Sequence, residues 1–297
     1  MILIDRMRRY TLKNRHGKIS FHNWWVDTHN TMNILQRFFK MILGDTIDNY
    51  DKIRIYSIFG NMPSIEKDNR TLYIQYSGEP VIKNTRFFDI NIVPDIEKDN
   101  IIPIPHIFMQ IYINKINIDT LRVARSLKSI PKKFCLFSVS SPKNKDRINF
   151  FKELSKYNHV DSCGKVLNNL GYNCPGGHAS RKYHRFISNY KFMICFENTS
   201  MTNYITEKIL NSYVSGTIPI YWGCPNISDY INMDSILYLK PNYSQLDIDH
   251  LISEIILLDN NDELYKQKYE KPFFKDGKIP DNFQVPIIQE KIKDILD

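Results

Sequence analysis

Residues 192–222 limit the fold of this chain more than any other part of its sequence. An apolar run at residues 192–196 predicts a strand that is covered on both faces, as in a parallel sheet. A helical pattern follows from about Tyr204, and Gly216 predicts the end of that helix. A second strand is predicted at residues 217–222. This strand–helix–strand pattern is typical of α/β proteins.

The rest of the chain continues the same alternation. With 297 residues the chain is long enough for two compact lobes. Strands are also predicted at residues 53–59, 72–76, 88–93 and 134–139, and helices at residues 32–42, 119–127, 146–157 and 244–258. We expect an N-terminal lobe at residues 1–125 and a C-terminal lobe at residues 126–297. The last helix, near residues 287–292, is expected to pack back on the N-terminal lobe.

Composition excludes a disordered chain, because 42% of the residues are hydrophobic and 24% are charged. The net charge of +8 fits an anionic partner such as a phosphate-bearing substrate. It fits a solvated basic surface as well, and the scattered lysines and arginines favour that interpretation for the charge as a whole. We expect no nucleic-acid partner.

The cysteines and the apolar runs predict a location. The five cysteines are odd in number and form no CxxC pair, so we expect all of them to be reduced and mostly buried, as in the cytosol. The first residues are too few for a signal peptide, and no run approaches the length of a membrane span. We therefore expect a cytoplasmic protein. Peripheral membrane contact and the oligomeric state stay open.

Two cations are candidates for binding an anion. Ligands of open parallel sheets bind beyond the carboxyl ends of the strands, which is where Glu197 and Asn198 are predicted. Lys208 follows Glu207 at the predicted helix start, where a lysine is unfavourable by about 0.3–1 kcal/mol unless an anion binds there. Arg147, near the start of another helix, has the side chain that clamps a pyrophosphate. Spacing alone favours plain surface charges at both positions.

Three further motifs carry chemically useful side chains. Glu79 follows a predicted strand and is either a general base or a turn carboxylate. Trp24 and Trp25 offer rings for stacking on a sugar, with core packing as the equal alternative. Asp247 and Asp249 form a DxD sequence, whose two carboxylates could bind a metal ion. We interpret these two as the acidic start of a helix, so no metal site is predicted.

Taken together, these stretches resemble a known family. The letters YKFMICFEN at residues 190–198, YITEKI at residues 204–209 and IPIYWG at residues 218–223 resemble the donor-binding signature of the α-1,3/4-fucosyltransferases, glycosyltransferase family 10. The style is closest to soluble bacterial members. Weaker similarity covers most of the remaining chain.

The resemblance implies a GT-B fold, with two Rossmann-like lobes and the active site in the cleft between them. The C-terminal lobe would bind GDP-fucose, with Lys208 and Arg147 at the pyrophosphate, and the N-terminal lobe would bind the acceptor. Glu79 aligns with the carboxylate proposed as general base in bacterial relatives. The other donor contacts implied are Ser140, Asn198, Tyr204 and Glu207.

The implied activity is an inverting transfer of fucose from GDP-fucose to a glycan hydroxyl. An α-1,3 linkage to GlcNAc or a related sugar is the expected product, and no cofactor is expected to be required for the chemistry. Two alternatives stay open. One is a relative that uses another GDP-sugar, and the other is a carbohydrate-binding protein without catalysis.

Overall fold

The fold consists of two compact units, each built on its own sheet. The structure, a computed structural model, describes residues 10–12, 17–24, 29–59, 66–95, 97–177 and 180–297. Contacts between residues group 1–115, 202–204 and 281–297 into the first unit, and 116–201 with 205–280 into the second. The predicted lobe boundary after residue 125 stays a prediction.

The first unit contains a six-stranded sheet. Its elements are β1 (Tyr10–Leu12), β2 (Ile19–Trp24), α1 (His29–Leu43), β3 (Lys52–Ser57), β4 (Thr71–Tyr76), β5 (Ile90–Ile92), β6 (Ile101–Ile102) and α2 (His106–Ile113). The strands lie in chain order, with β1 antiparallel to β2 and the others parallel. The predicted apolar stripe of α1 is confirmed, since Leu35, Phe38, Phe39 and Ile42 are buried.

The second unit contains a five-stranded, fully parallel sheet. Its elements are β7 (Lys133–Phe137), α3 (Lys145–Leu154), β8 (Val160–Ser162), α4 (Arg181–Ile187), β9 (Tyr190–Ile194), α5 (Glu207–Val214), β10 (Ile218–Tyr221), β11 (Leu237–Tyr238), α6 (Gln245–Asp259) and α7 (Asp262–Tyr269). The strand order is β11-β10-β9-β7-β8. The predicted strand–helix–strand unit is confirmed as β9, α5 and β10. Gly216, in the left-handed conformation with φ of 81°, follows the end of α5 as predicted.

The last helix, α8 (Val285–Leu296), groups with the first unit. Ile288 and Ile292 are fully buried, and Gln289 Nε2 donates to the carbonyl of Met41 at the end of α1 (2.8 Å). Within the described ranges, no helix combines the length and the apolar character that crossing a membrane requires.

The helix predicted at residues 119–127 is wrong. Only a short 3₁₀ turn, Ile118–Leu121, forms there. Arg125 explains the difference, because its guanidinium lies between the rings of Tyr213 (3.8 Å) and Tyr269 (4.0 Å) and donates to the carbonyl of Tyr213 (2.6 Å). These contacts outweigh a helical propensity that is weak in any sequence.

The prediction that all cysteines are reduced is also wrong. Cys163 and Cys174 form a disulfide, with Cα atoms 4.8 Å apart. An odd number of cysteines does not exclude a disulfide between two of them. Here the chain folds back on itself, and the N–H of Cys174 donates to the carbonyl of Cys163 (2.9 Å), which brings the two cysteines together. Cys135, Cys195 and Cys224 are free and buried, as predicted. The cytoplasmic expectation thereby loses the support that it drew from reduced cysteines.

Reducing this disulfide is expected to lower the free energy of unfolding by about 3 kcal/mol. The bond closes a loop with a sequence separation of 11, and an open loop of about that length has correspondingly more freedom in the unfolded chain. Urea unfolding with and without a phosphine reductant measures the difference. A Cys163→Ser/Cys174→Ser variant should give the same unfolding curve with and without the reductant. If the native chain also gave the same curve in both conditions, the expectation would be contradicted.

Candidate active site

A buried carboxylate lies just beyond the carboxyl end of β9, the central strand of the second sheet. The chain runs on from β9 through Cys195 and Phe196 to Glu197, whose side chain is fully buried. Glu197 Oε1 accepts from the backbone N–H of Thr206 (2.8 Å), the residue before α5. Its Oε2 accepts from the Thr206 hydroxyl (2.8 Å) and from Lys208 Nζ (3.0 Å). Glu197 therefore ties the end of β9 to the first turn of α5.

Lys208 is held on two sides by this arrangement. Besides Glu197, its ammonium donates to the hydroxyl of Thr206 (2.9 Å). Burial lowers the pKa of Lys208, but the charges of Glu197 and Glu207 outweigh that effect and raise the pKa above the usual value for lysine. The side chain is 24% exposed, so the charged group still meets solvent. The anion that offsets a lysine at this helix start is thus supplied by the protein itself.

Arg147 lies against the same turn. Its side chain is buried, and Nε donates to the carbonyls of Phe196 and Glu197 (3.0 Å each) while Nη2 donates to Asn198 Oδ1 (2.6 Å). Arg147 bonds to the carbonyl of Glu197 and Lys208 to its carboxylate, so the two cations contact the same residue. The structure brings the two predicted pyrophosphate ligands together around Glu197.

The start of α3 is fixed to this turn as well. Asn144 caps α3, where its Oδ1 accepts from the N–H of Asp146 (2.7 Å). Its Nδ2 donates to the carbonyls of Glu197 (3.3 Å) and Asn198 (3.1 Å). Because of these bonds, Arg147 reaches the turn from a helix that cannot shift independently of it.

The other predicted donor contacts take different positions. Asn198 is exposed and accepts from Arg147 through its Oδ1, and Ser140 is exposed in the loop after β7. Glu207 is the first residue of α5, and its charge acts on Lys208 and on Tyr183. Tyr204 is 1% exposed and groups with the first unit. Their roles stay predictions.

The charges of the cluster cancel. Arg147 and Lys208 supply two positive charges, and Glu197 and Glu207 supply two negative ones. A ligand diphosphate would therefore be recognised by the direction of N–H groups at least as much as by net charge.

Gly223 permits the buried position of Glu197. A Cβ on Gly223 would lie 2.6 Å from Cβ of Glu197, and the φ of 147° disfavours any side chain. Gly223→Ala is expected to lower the free energy of unfolding by about 2–4 kcal/mol through strain and overpacking. Gly177→Ala is the matched control, since its Cβ would meet no atom of the described residues within 4 Å. Equal urea midpoints for the two variants would contradict this expectation.

Glu79 lies in the first unit, three residues beyond β4. Its turn is held by Ser77, whose hydroxyl donates to the carbonyl of Glu79 (2.8 Å). Gly78 packs on α2, where an added Cβ would lie 2.7 Å from Cε1 of His106. His106 in turn is hydrogen-bonded to Tyr76 and Gln110 (2.7 Å each). Glu79 therefore lies in a turn whose backbone is held by these contacts, and its role as base stays a prediction.

The tandem tryptophans were predicted to contact the acceptor. Trp24 is 8% exposed, stacks on Tyr76 with ring centroids 5.6 Å apart, and donates from Nε1 to the carbonyl of Ile55 (3.3 Å). These contacts give Trp24 a packing role, and an acceptor contact stays a prediction. Trp25 lies outside the described residues.

The DxD sequence begins a helix, as predicted. Asp247 and Ser244 form a capping box at the start of α6, and Asp247 also pairs with Lys240 (2.8 Å). The hydrogen bonds from Lys240 and Ser244 hold the pKa of Asp247 far below its usual value. Asp249 accepts from Gln245 within the same helix (2.9 Å).

The sequence placed Glu197 at the predicted ligand site but gave it no partner, and it predicted no role for Thr206, Asn144 or Gly223. An acid directly after an apolar strand was one available signal, because a carboxylate at the end of a buried strand needs a partner. The threonine directly before Glu207 was a second signal, since threonine favours the position before a helix.

Comparison with known proteins finds a family model over the region that contains this cluster. The model of "Glycosyltransferase family 10 (fucosyltransferase) C-term" matches residues 128–273, which include every residue of the cluster. The chain is 40% identical over 104 residues to alpha-(1,3)-fucosyltransferase FucT of Helicobacter pylori, which is 35% of this chain and 20% of that protein. It is 33% identical over 129 residues to GDP-fucose protein O-fucosyltransferase 3 of Xenopus tropicalis, 42% of this chain and 27% of that protein.

These matches span roughly a fifth to a quarter of the curated relatives' length. A solved structure of alpha1,3-fucosyltransferase with GDP-fucose superposes with a TM-score of 0.69, covering 99% of this chain and 95% of that one at 23% identity. Its fold agrees with the two parallel-sheet units, and the predicted GT-B class is confirmed. Residues 128–273 match the C-terminal region of glycosyltransferase family 10, the fucosyltransferases, which is the family that the signature residues resemble.

Proposed function

We propose that the chain transfers fucose from GDP-fucose to a hydroxyl group of a glycan, with inversion at the anomeric carbon. The observation that carries this proposal is the convergence of Arg147 and Lys208 on one turn beyond the carboxyl end of β9. The match of residues 128–273 to the family 10 model supports the donor, and the relative from H. pylori supports the α-1,3 linkage by its name.

The chemistry is a single displacement. Glu79 removes the proton of the acceptor hydroxyl while that oxygen attacks the anomeric carbon of fucose. The bond between this carbon and the β-phosphate oxygen breaks, and GDP leaves with the electron pair. Lys208 and Arg147 stabilise the negative charge that develops on the diphosphate.

Lys208 is prepared for this role. An ammonium has three N–H donors, and within the described part of the chain two of them are bonded, to Glu197 and Thr206. The third remains for a phosphate oxygen. Asn198, Ser140, Tyr204 and Glu207 complete the proposed contacts to the ribose and fucose.

A panel of GDP-sugars tests the donor. Incubation of the purified chain with GDP-fucose, GDP-mannose or GDP-glucose and an array of acceptors should release GDP with GDP-fucose only. Because one relative is named for transfer to protein, the array should contain peptides as well as glycans. Release with a different GDP-sugar would favour a relative of other donor specificity. Glycan binding without any GDP release would favour a non-catalytic binding protein.

A further inference from the structure

We infer that Glu197 is a positioning residue for diphosphate binding, which aims the ammonium of Lys208 at the leaving group. The inference rests on the proposed function and concerns a residue to which that function gives no contact with the substrate. Its basis is the set of bonds from Glu197 to the first turn of α5.

Burial and hydrogen bonding define what Glu197 can do. Its carboxylate is fully buried and accepts from Thr206 N–H, Thr206 hydroxyl and Lys208 Nζ. A group enclosed in this way does not reach a substrate. It occupies instead the place at a helix N-terminus where bound anions are commonly found.

The two bonds of Lys208 determine where its remaining donor points. The N–H groups of an ammonium are arranged tetrahedrally, so fixing two of them, on Glu197 Oε2 (3.0 Å) and Thr206 Oγ1 (2.9 Å), fixes the third. Without Glu197, the flexible four-carbon side chain would be held only by its bond to Thr206, and one bond leaves the ammonium able to turn about it. Glu197 thus holds the ammonium of Lys208 in one orientation, in which its third N–H can donate to a phosphate oxygen.

Charge and direction predict opposite results for the loss of Glu197. Considered as a charge, Glu197 neutralises Lys208 and repels a diphosphate, so its removal would tighten binding. Considered as a positioning group, its removal weakens binding although the site becomes more positive. The sign of the change in affinity therefore decides between the two.

The pH dependence provides a second readout. In the native chain, Glu197 and Glu207 raise the pKa of Lys208 against the effect of burial. Glu197→Gln removes one of these charges, so the pKa of Lys208 falls. GDP affinity of the variant should then begin to fall with rising pH at a lower pH than the affinity of the native chain does.

The experiment is calorimetric titration of GDP into the native chain, Glu197→Gln and Asp259→Asn. Asp259 is the matched control, because it is a mostly buried carboxylate paired with Lys191 (2.8 Å) near the amino end of the same strand, β9. We expect Glu197→Gln to bind GDP at least tenfold more weakly at pH 7.5, with Asp259→Asn unchanged. Equal or tighter binding by Glu197→Gln would overturn the inference.

Thr206→Val covers the case that Glu197→Gln does not fold. This variant keeps the backbone N–H but loses the hydroxyl that contacts both Glu197 and Lys208. We expect its GDP affinity to fall several-fold, and native affinity would again overturn the inference. Failure of the native chain to bind GDP would contradict the proposed function instead.

Discussion

Replacement of Lys208 by alanine is expected to weaken GDP binding by about 100-fold. A phosphate about 5 Å from the ammonium gains about 3 kcal/mol at an effective dielectric constant near 20, and this gain corresponds to about two orders of magnitude in affinity. The raised pKa of Lys208 keeps the group charged at neutral pH, so the whole gain is available. Calorimetric titration with GDP measures the loss.

The same substitution also affects stability. It leaves Glu197 buried without its cationic partner, which costs about 3–5 kcal/mol. The double variant Lys208→Ala/Glu197→Gln removes both charges, so it should recover stability while GDP affinity stays low. Titrations are therefore run on both variants, at a temperature where thermal unfolding shows each to be folded.

Lys191→Ala is the control for Lys208→Ala, because it also removes a lysine from a buried ion pair but removes no proposed ligand of the diphosphate. Lys191 is 15% exposed and pairs with Asp259 in the same unit. It should lose stability and keep native GDP affinity. If Lys208→Ala also kept native affinity, Lys208 would not be a diphosphate ligand.

The periodicity of the sequence predicted the second sheet well and its connections poorly. The apolar runs of β9 and β10 are visible because both faces of a parallel strand are buried. The predicted start of α5 was two to three residues early, because Thr206 is extended (φ −114°, ψ −173°) and bonded to Glu197. Tertiary contacts of this kind leave no periodic signal, and the same holds for Arg125 in the connecting segment.

The candidate site was predictable only in part. Lys208 and Arg147 could be identified from their family signature and from chemistry that suits a diphosphate. The pairing of both cations with Glu197 could not be predicted, because it depends on the positive φ of Gly223 and on the turn that brings Thr206 back to β9. A sequence records which residues are charged, but their pairing depends on backbone geometry.

Glu79→Gln is expected to reduce fucosyl transfer by about 100- to 10,000-fold, the range that a general base contributes. Glutamine keeps the size of the side chain and loses the ability to accept a proton. The turn itself should not change, because it is fixed by Ser77 and by the contact of Gly78 with His106. GDP-fucose affinity should stay native, since the proposed donor contacts come from other residues.

Glu97→Gln is the matched control for this prediction. Glu97 is a carboxylate of the same unit, 52% exposed and paired with Lys291 (2.7 Å). Its replacement makes the same change in charge and should leave transfer unchanged. Initial rates of GDP release with a saturating acceptor measure both variants. Transfer by Glu79→Gln within tenfold of the native rate would mean that another group removes the proton. A glutamine side chain can form hydrogen bonds, but it cannot take up the proton of the acceptor hydroxyl.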